Sequence, residues 1–225
     1  MSNERVNADF SRRVVIATDE MPWIPSPQPG VERRLLDRIG GEVARATSLV
    51  RYAPSSNFPV HDHALGEEFF VLSGIFSDEL GDYPAGTYVR NPPQSRHAPR
   101  TASGCTIFVK LRQMMLSEQR RIVTDTTSAQ WRQPDQAGVA WLPLYRDSDT
   151  GERVTLERLA AGARHPELDC LDGEEIFILS GDLEDEHGEY RAGTWIRNPA
   201  GFRRTLGSGG GATYWAKRGH LRPTP

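Results

Sequence analysis

The sequence predicts an all-β protein made of two tandem barrels, and three observations lead there. First, the chain repeats itself: GEEFFVLSG from Gly66 recurs as GEEIFILSG from Gly173, and GDYPAGTYVRNP from Gly81 recurs as GEYRAGTWIRNP from Gly188, both at an offset of 107 residues. A long-period repeat of this kind marks a duplicated folding unit. Second, each copy is a series of short β-branched and aromatic runs separated by Gly, Pro, Asn and Asp, the pattern of a sandwich or barrel. Third, helix is scarce. The best helical stretch, Glu32 to Gly40, would put Leu35, Leu36 and Ile39 on one face, but the second copy writes VAWLPLYRD there. Pro143 argues against a helix in that stretch, so both copies are read as strands.

Taken in order, the repeat begins with RVVIATD from Arg13 against RIVTDTT from Arg121, then Trp23 with Gly30-Val31 against Trp131 with Gly138-Val139. Here the offset is 108, so the second copy has lost one residue, in a turn near Arg146 to Gly151. The strands ARATSLVRYA, EFFVLSG, GTYVRNP and GCTIFVKLR follow in the first copy, answered by RVTLERLA, EIFILSG, GTWIRNP and GATYWAKR. The polar run Leu116 to Arg121 divides the copies, giving an N-terminal domain 1–115 and a C-terminal domain 116–225, with pseudo-twofold packing expected. A domain of this size buries enough apolar surface to fold, by a small margin. Residues that both copies share are read as fold residues: Gly74/Gly181 and Gly86/Gly193 for turns, Asn91/Asn198 with Pro92/Pro199 for a corner, Trp23/Trp131 for the core.

Composition narrows the function. Of 225 residues 37% are hydrophobic and 25% charged, ordinary for a globular protein, and a net charge of -3 with pI ≈ 6.1 disfavours nucleic acid or an anionic membrane as partner. The start, MSNERVNADFSRR, has no apolar signal region, and no later run is long enough to span a bilayer, so a cytoplasmic location is expected. Cys105 and Cys170 stand far apart with no CxxC, as reduced thiols do. Cys105 reads as a small core residue.

One stretch carries the chemistry. His61 and His63 are two residues apart, so on a strand both imidazoles leave the same face. A glutamate pair, Glu67-Glu68, follows. After GTYVRNPPQSRH comes His97, which an antiparallel return would set beside the other two. Three imidazoles and a carboxylate suit a divalent transition metal, with a position left for water or a ligand. Strand parity cannot choose between Glu67 and Glu68, because Ala64-Leu65-Gly66 interrupts the run. The duplication acts as an internal control: His61, His63 and His97 map onto Leu168, Cys170 and Arg204. The second copy therefore lacks the site, and one metal per chain is expected. Cys170 with Asp169, Glu174 and His165 matches no compact ligand pattern and reads as vestigial. Arg204 is expected to stand where the metal would be and to pair with Glu174, or with Glu175 if the register shifts.

HxHxxxE, six residues to a glycine, then GxxxxxPxxxxH resembles the two consensus motifs of the cupin superfamily, whose fold is a double-stranded β-helix or jelly-roll barrel. The wording from His61 to Cys105 resembles the ChrR-like cupins, named for a bacterial anti-sigma factor. The resemblance implies a duplicated barrel, a bicupin, and the family spacing picks Glu67 as the fourth ligand beside His61, His63 and His97. Cupins usually carry glycine two residues after the Pro of the second motif; this chain has Gln94. The sigma-gripping zinc domain of ChrR, with its His-rich helix and CxxC pair, has no counterpart here, so sigma-factor binding does not carry over with the family name. What the resemblance implies is a regulatory module that senses a small molecule or a reactive oxygen species at its metal, zinc first. The alternative is an enzyme, a cupin dioxygenase or isomerase with Fe(II), Mn or Ni. No catalytic residue stands out beyond the ligands, and a homodimer is left open.

Overall fold

The structure, a computed structural model, describes residues 4–133 and 136–221. Among them the only helical element is a single 3-10 turn, Thr18–Glu20, and the rest is antiparallel β-structure and turns. Both stretches read as strands against a helical pattern are strands, Val31–Ile39 and Val139–Arg146. Each pairs with the strand after it, Arg45–Tyr52 or Arg153–Leu159, and each carries a bulge, between Leu35 and Asp37 and between Pro143 and Tyr145. No helix among the described residues is long and apolar enough to cross a membrane.

Two compact units result, and they do not follow contiguous halves of the chain. Among the described residues the first comprises 4–8 and 22–129, the second 9–21, 130–133 and 136–221. The main sheet of the first unit runs Arg5–Val6, Val31–Ile39, Arg45–Tyr52, Cys105–Leu111, Glu67–Asp78, Thr87–Asn91 and Ile122–Asp125. The second unit repeats this order from Val139–Arg146 to Thr194–Asn198 and ends on Val14–Ala17. The opening strand of each sequence repeat thus completes the sheet built mainly from the other repeat. Matched polar contacts hold these strands: Thr126 Oγ1 donates to the Gly86 carbonyl and Thr18 Oγ1 to the Gly193 carbonyl, both at 2.6 Å.

In each unit the inner face of the main sheet carries the core, Phe69, Val71, Phe76, Val89, Ile107 and Val109 in the first and Ile176, Ile178, Leu183, Ile196 and Tyr214 in the second. Period-two alternation along Glu67–Asp78 puts Glu67, Phe69 and Val71 inward and Glu68 and Phe70 outward. A two-stranded ribbon faces each sheet: His61–His63 with Ser95–His97, and Leu168–Cys170 with Phe202–Arg204. The glycine in the middle of the long core strand is required by packing, since a Cβ at Gly74 or Gly181 would lie 2.0 or 1.9 Å from the carbonyl oxygen of Gly104 or Gly211. At the ribbon turn the copies differ: Gln94 holds φ 66° where Gly201 holds φ 78°. The departure at Gln94 leaves the turn geometry intact but puts a side chain in the left-handed region.

Trp23 and Trp131 are not core aromatics. Both are half-buried at the surface, Trp23 covered by the guanidinium groups of Arg34 and Arg51 at 4.3 and 4.4 Å and Trp131 by that of Arg158 at 4.1 Å. Their recurrence marks a cation–π contact rather than a buried anchor.

Candidate metal centre

The ribbon of the first unit brings the three histidines together. In its register His97 lies directly opposite His61, and His63 opposite Ser95, so residues 36 apart in sequence become cross-strand neighbours. The ring centroids stand 4.7 to 5.0 Å apart, and one nitrogen from each lies within 4.8 Å of the others. His63 and His97 are buried, and their Nε2 atoms face each other at 3.0 Å.

The sheet supplies the carboxylate. Glu67 begins the strand Glu67–Asp78, on its inward face, and Oε2 lies 3.6 Å from His63 Nε2 and 3.4 Å from His97 Nε2. Glu68 points the other way, taking hydrogen bonds from Arg90 Nη1 at 2.9 Å and Tyr88 Oη at 2.8 Å. Of the two carboxylates that sequence parity left open, Glu67 is the one the structure places beside His63 and His97. Asn91 Nδ2 donates to Glu67 Oε2 at 3.1 Å, and Arg121 Nε donates to Asn91 Oδ1 at 3.1 Å. Asn91 is more than a corner residue; it orients the carboxylate.

A second layer sets the tautomers. His97 Nδ1 is 3.2 Å from Asp78 Oδ2, and a carboxylate only accepts, so Nδ1 carries the hydrogen and Nε2 presents its lone pair when the ring is neutral. His61 Nδ1 stands 3.0 Å from the Pro59 carbonyl oxygen, which fixes the same tautomer. Asp78 is held in turn by Tyr83 Oη at 2.9 Å and the Leu80 amide at 2.8 Å, with Arg121 Nη2 donating to Tyr83 Oη at 2.6 Å. Burial works to raise the Asp78 carboxyl, but these hydrogen bonds outweigh it and hold it below its ordinary value. Burial lowers His63; it would lower His97 too, were it not for the hydrogen bond to Asp78 and the charge of Glu67, which raise it. A cavity of about 320 Å³ opens beside the site, lined among others by Val31, Val50, His61, His63, Glu67 and Leu111.

The donor set fits a divalent transition metal. Three imidazoles, two of them held in one tautomer through Nδ1, gather beside one carboxylate. His61, His63, Glu67 and His97 are the residues that would hold the ion.

At the same positions the second unit holds Leu168, Cys170, Glu174 and Arg204. Arg204, 1% exposed, grips Glu174 with Nε to Oε2 at 2.7 Å and Nη2 to Oε1 at 2.5 Å, the pairing expected from sequence. A wider network around this pair went unforeseen. Arg218 Nε also donates to Glu174 Oε1 at 2.6 Å, and its other nitrogens reach Glu157, which further accepts from Tyr214 Oη at 2.8 Å. His165 Nε2 lies 3.3 Å from Glu157 Oε2. Burial disfavours charge on both carboxyls, yet the arginines override it: Glu174 is lowered to about 2, and Glu157 falls well below the usual range. Burial pushes the Cys170 thiol up to about 12 and Cys105 up to about 11, so both are inert thiols. A sequence signal for this network existed. At the 107 offset Glu157, His165, Tyr214 and Arg218 replace Val50, Phe58, Ile107 and Leu111, so an apolar lining in one copy becomes charged in the other.

Comparison with known proteins agrees with the duplication. Residues 11–115 and again 119–222 match the model of the ChrR Cupin-like domain. Among curated proteins none matches the chain in sequence. Several solved structures share its fold. A proposed dioxygenase from Nostoc punctiforme is 14% identical at a TM-score of 0.77, covering 95% of this chain and 85% of its own. A protein of Pseudomonas aeruginosa described as glyoxylate-induced is 16% identical at 0.76, with 95% and 91% covered. Bacillus subtilis oxalate decarboxylase, a protein with Mn(II) centres, is 10% identical at 0.61, with 93% and 78% covered.

Proposed function

The chain belongs to the ChrR cupin-like domain family in both of its halves, and from that premise we propose that it is a metal-binding bicupin of regulatory type. One divalent transition metal, zinc first, is held by His61, His63, Glu67 and His97 of the first barrel, and a small molecule or reactive oxygen species is read there. One observation carries the metal reading: Asp78 locks the His97 ring so that its Nε2 lone pair faces Glu67 Oε2, with His63 Nε2 3.0 Å away and His61 gathered beside them. Without a cation such a cluster crowds acceptors against one another; with one it is satisfied. When bound, the ion would supply Lewis acidity and an exchangeable position toward the cavity. Loss or oxidation of a ligand would then loosen the ribbon that carries the histidines. The signalling role rests on the family, since no general acid or base stands among the four donors. Sigma-factor contact is not part of the proposal.

A second reading has its own support. The cavity of about 320 Å³ beside the histidines is of a size to admit a small substrate, and the structural neighbours include a proposed dioxygenase and a manganese decarboxylase. Elemental analysis of the protein as isolated, followed by thermal-shift measurements with peroxide and small organic ligands, separates the two. The regulatory reading expects about one zinc per chain, released by peroxide with a fall in Tm. Iron or manganese in place of zinc, with dioxygen uptake on adding a substrate, would overturn it in favour of the enzyme.

A further inference from the structure

The metal reading leaves the second barrel without a role, yet its interior is not an empty copy. A cavity of about 310 Å³ lies in it, and Val139, Glu157, Leu168 and Arg218 line it at the positions of Val31, Val50, His61 and Leu111, which line the cavity beside the histidines. Trp141, Val139 and Leu168 give the lining apolar surface, and Arg153, Arg204 and Arg218, with Glu157 and Glu167, give it charge.

One guanidinium in that lining is left without a partner. Glu157 and Glu174 answer Arg204 and Arg218, and the guanidinium of Arg153 makes no hydrogen bond or ion pair among the described residues. Arg153 also sits directly opposite Arg218 in the antiparallel register, an arrangement of like charges that costs stability unless something answers it. Burial and the charge of Arg218 hold the Arg153 guanidinium below its ordinary value. Arg204, though 1% exposed, has a buried Nη1 with no hydrogen-bond partner. A buried donor without a partner, beside the exposed and unengaged guanidinium of Arg153, points to an absent acceptor.

We propose that this cavity binds a small monocarboxylate with an apolar body, its carboxylate between Arg153 and Arg204 and its body against Trp141, Val139 and Leu168. A planar carboxylate matches the guanidinium fork. Arg153 is the one guanidinium left for a ligand, and a second negative charge on the ligand would face Glu157, Glu174 and, at the rim, the exposed Glu167. A phosphate dianion is thereby disfavoured. The site is independent of the metal in the first barrel.

Isothermal titration calorimetry on the full-length protein tests this, with benzoate as probe, benzamide as its neutral isostere, benzylamine as its cationic counterpart and inorganic phosphate as the rival anion. Saturable binding of about one benzoate per chain is expected, unchanged after metal is removed by EDTA and the chelator dialysed away, with benzamide and benzylamine inert. Arg153→Ala, at an exposed side chain, should weaken benzoate by about tenfold to a hundredfold while leaving metal content unchanged. Leu168→Trp, which fills the cavity without altering a charge, should abolish binding and serves as the second variant should Arg153→Ala misfold. Equal heats for benzoate and benzamide, wild-type affinity in both variants, loss of binding with the metal, or tighter binding of phosphate would each overturn the proposal.

Discussion

The two barrels place the same glutamate at the same point of the same sheet and surround it with opposite chemistry. Glu67 faces imidazoles that present lone pairs, in a cavity lined by Val50 and Leu111; Glu174 faces Arg204 and Arg218, with Glu157 beyond. The asparagine that holds the carboxylate is common to both, at 3.1 Å in each. Duplication thus kept the support of the site and changed what the support presents. In the first barrel, on the proposed reading, an exogenous cation would satisfy the cluster; in the second the protein supplies its own, fixed and always charged.

Removing the metal is the strongest way to test that contrast. His61→Ala, His63→Ala and His97→Ala should each strip the ion completely, and wild-type protein should hold one equivalent per chain by elemental analysis. Equal metal in wild type and His97→Ala, or two equivalents after dialysis, would break the comparison. His97→Arg copies the second barrel into the first: it should fold without metal, its new guanidinium paired with Glu67. Asp78→Asn, which leaves every donor in place but loosens His97, should weaken the metal by about tenfold to a hundredfold.

The second barrel breaks through its charges. Arg218 is shared by Glu157 and Glu174, so Arg218→Leu strands buried carboxylates and should cost about 3–5 kcal/mol in denaturant unfolding, followed by the fluorescence of Trp195 and Trp215, both buried there. Arg204→Leu should cost about 3 kcal/mol. Adding Glu174→Gln should recover part of that, because it restores the charge balance around Arg218. No recovery in the double variant would mean that packing, not charge, holds the site.

Acid should separate the units. Burial alone would raise the Glu174 carboxyl, but Arg204 and Arg218 lower it from 4.5 to about 2. A depressed carboxyl contributes stability above its unfolded value and loses it as pH falls through the folded one, so the second unit should weaken between about pH 4.5 and pH 2. Glu157, also depressed, adds to the same window. Flat stability of the Trp195 and Trp215 transition over that range would contradict the pairing.

The smallest effect concerns the ribbon turns. Gln94 occupies a left-handed conformation that Gly201 adopts freely in the other copy. Gln94→Gly should stabilise by about 0.5–1 kcal/mol, the relief of left-handed strain less the added entropy of the unfolded chain. Gly201→Ala should destabilise by about 1 kcal/mol, since nothing lies within 4 Å of the added Cβ and only the backbone opposes it. Thermal unfolding of the two single variants would show shifts of opposite sign.

Much of this molecule was legible in its sequence, because repeats and short-range spacing survive folding unchanged. The 107-residue repeat announced the duplicated all-β fold, the His61-x-His63 spacing set two imidazoles on one face, and the substitution of Leu168, Cys170 and Arg204 showed that only one copy has the histidine set. Arg204 against Glu174 followed from the same alignment. Other features required the tertiary structure, for identifiable reasons. Glu67 and Glu68 are chemically identical neighbours, and only the point at which the strand resumes after Gly66 decides which one turns inward. The crossing of 9–21 into the second unit and of 122–125 into the first is a matter of long-range pairing, invisible to any local pattern. The burial of Arg218 with Glu157, and the half-buried position of the repeated tryptophans beneath arginines, depend on which face of a strand meets the core. Sequence determined which groups were available; the sheet register decided which of them meet.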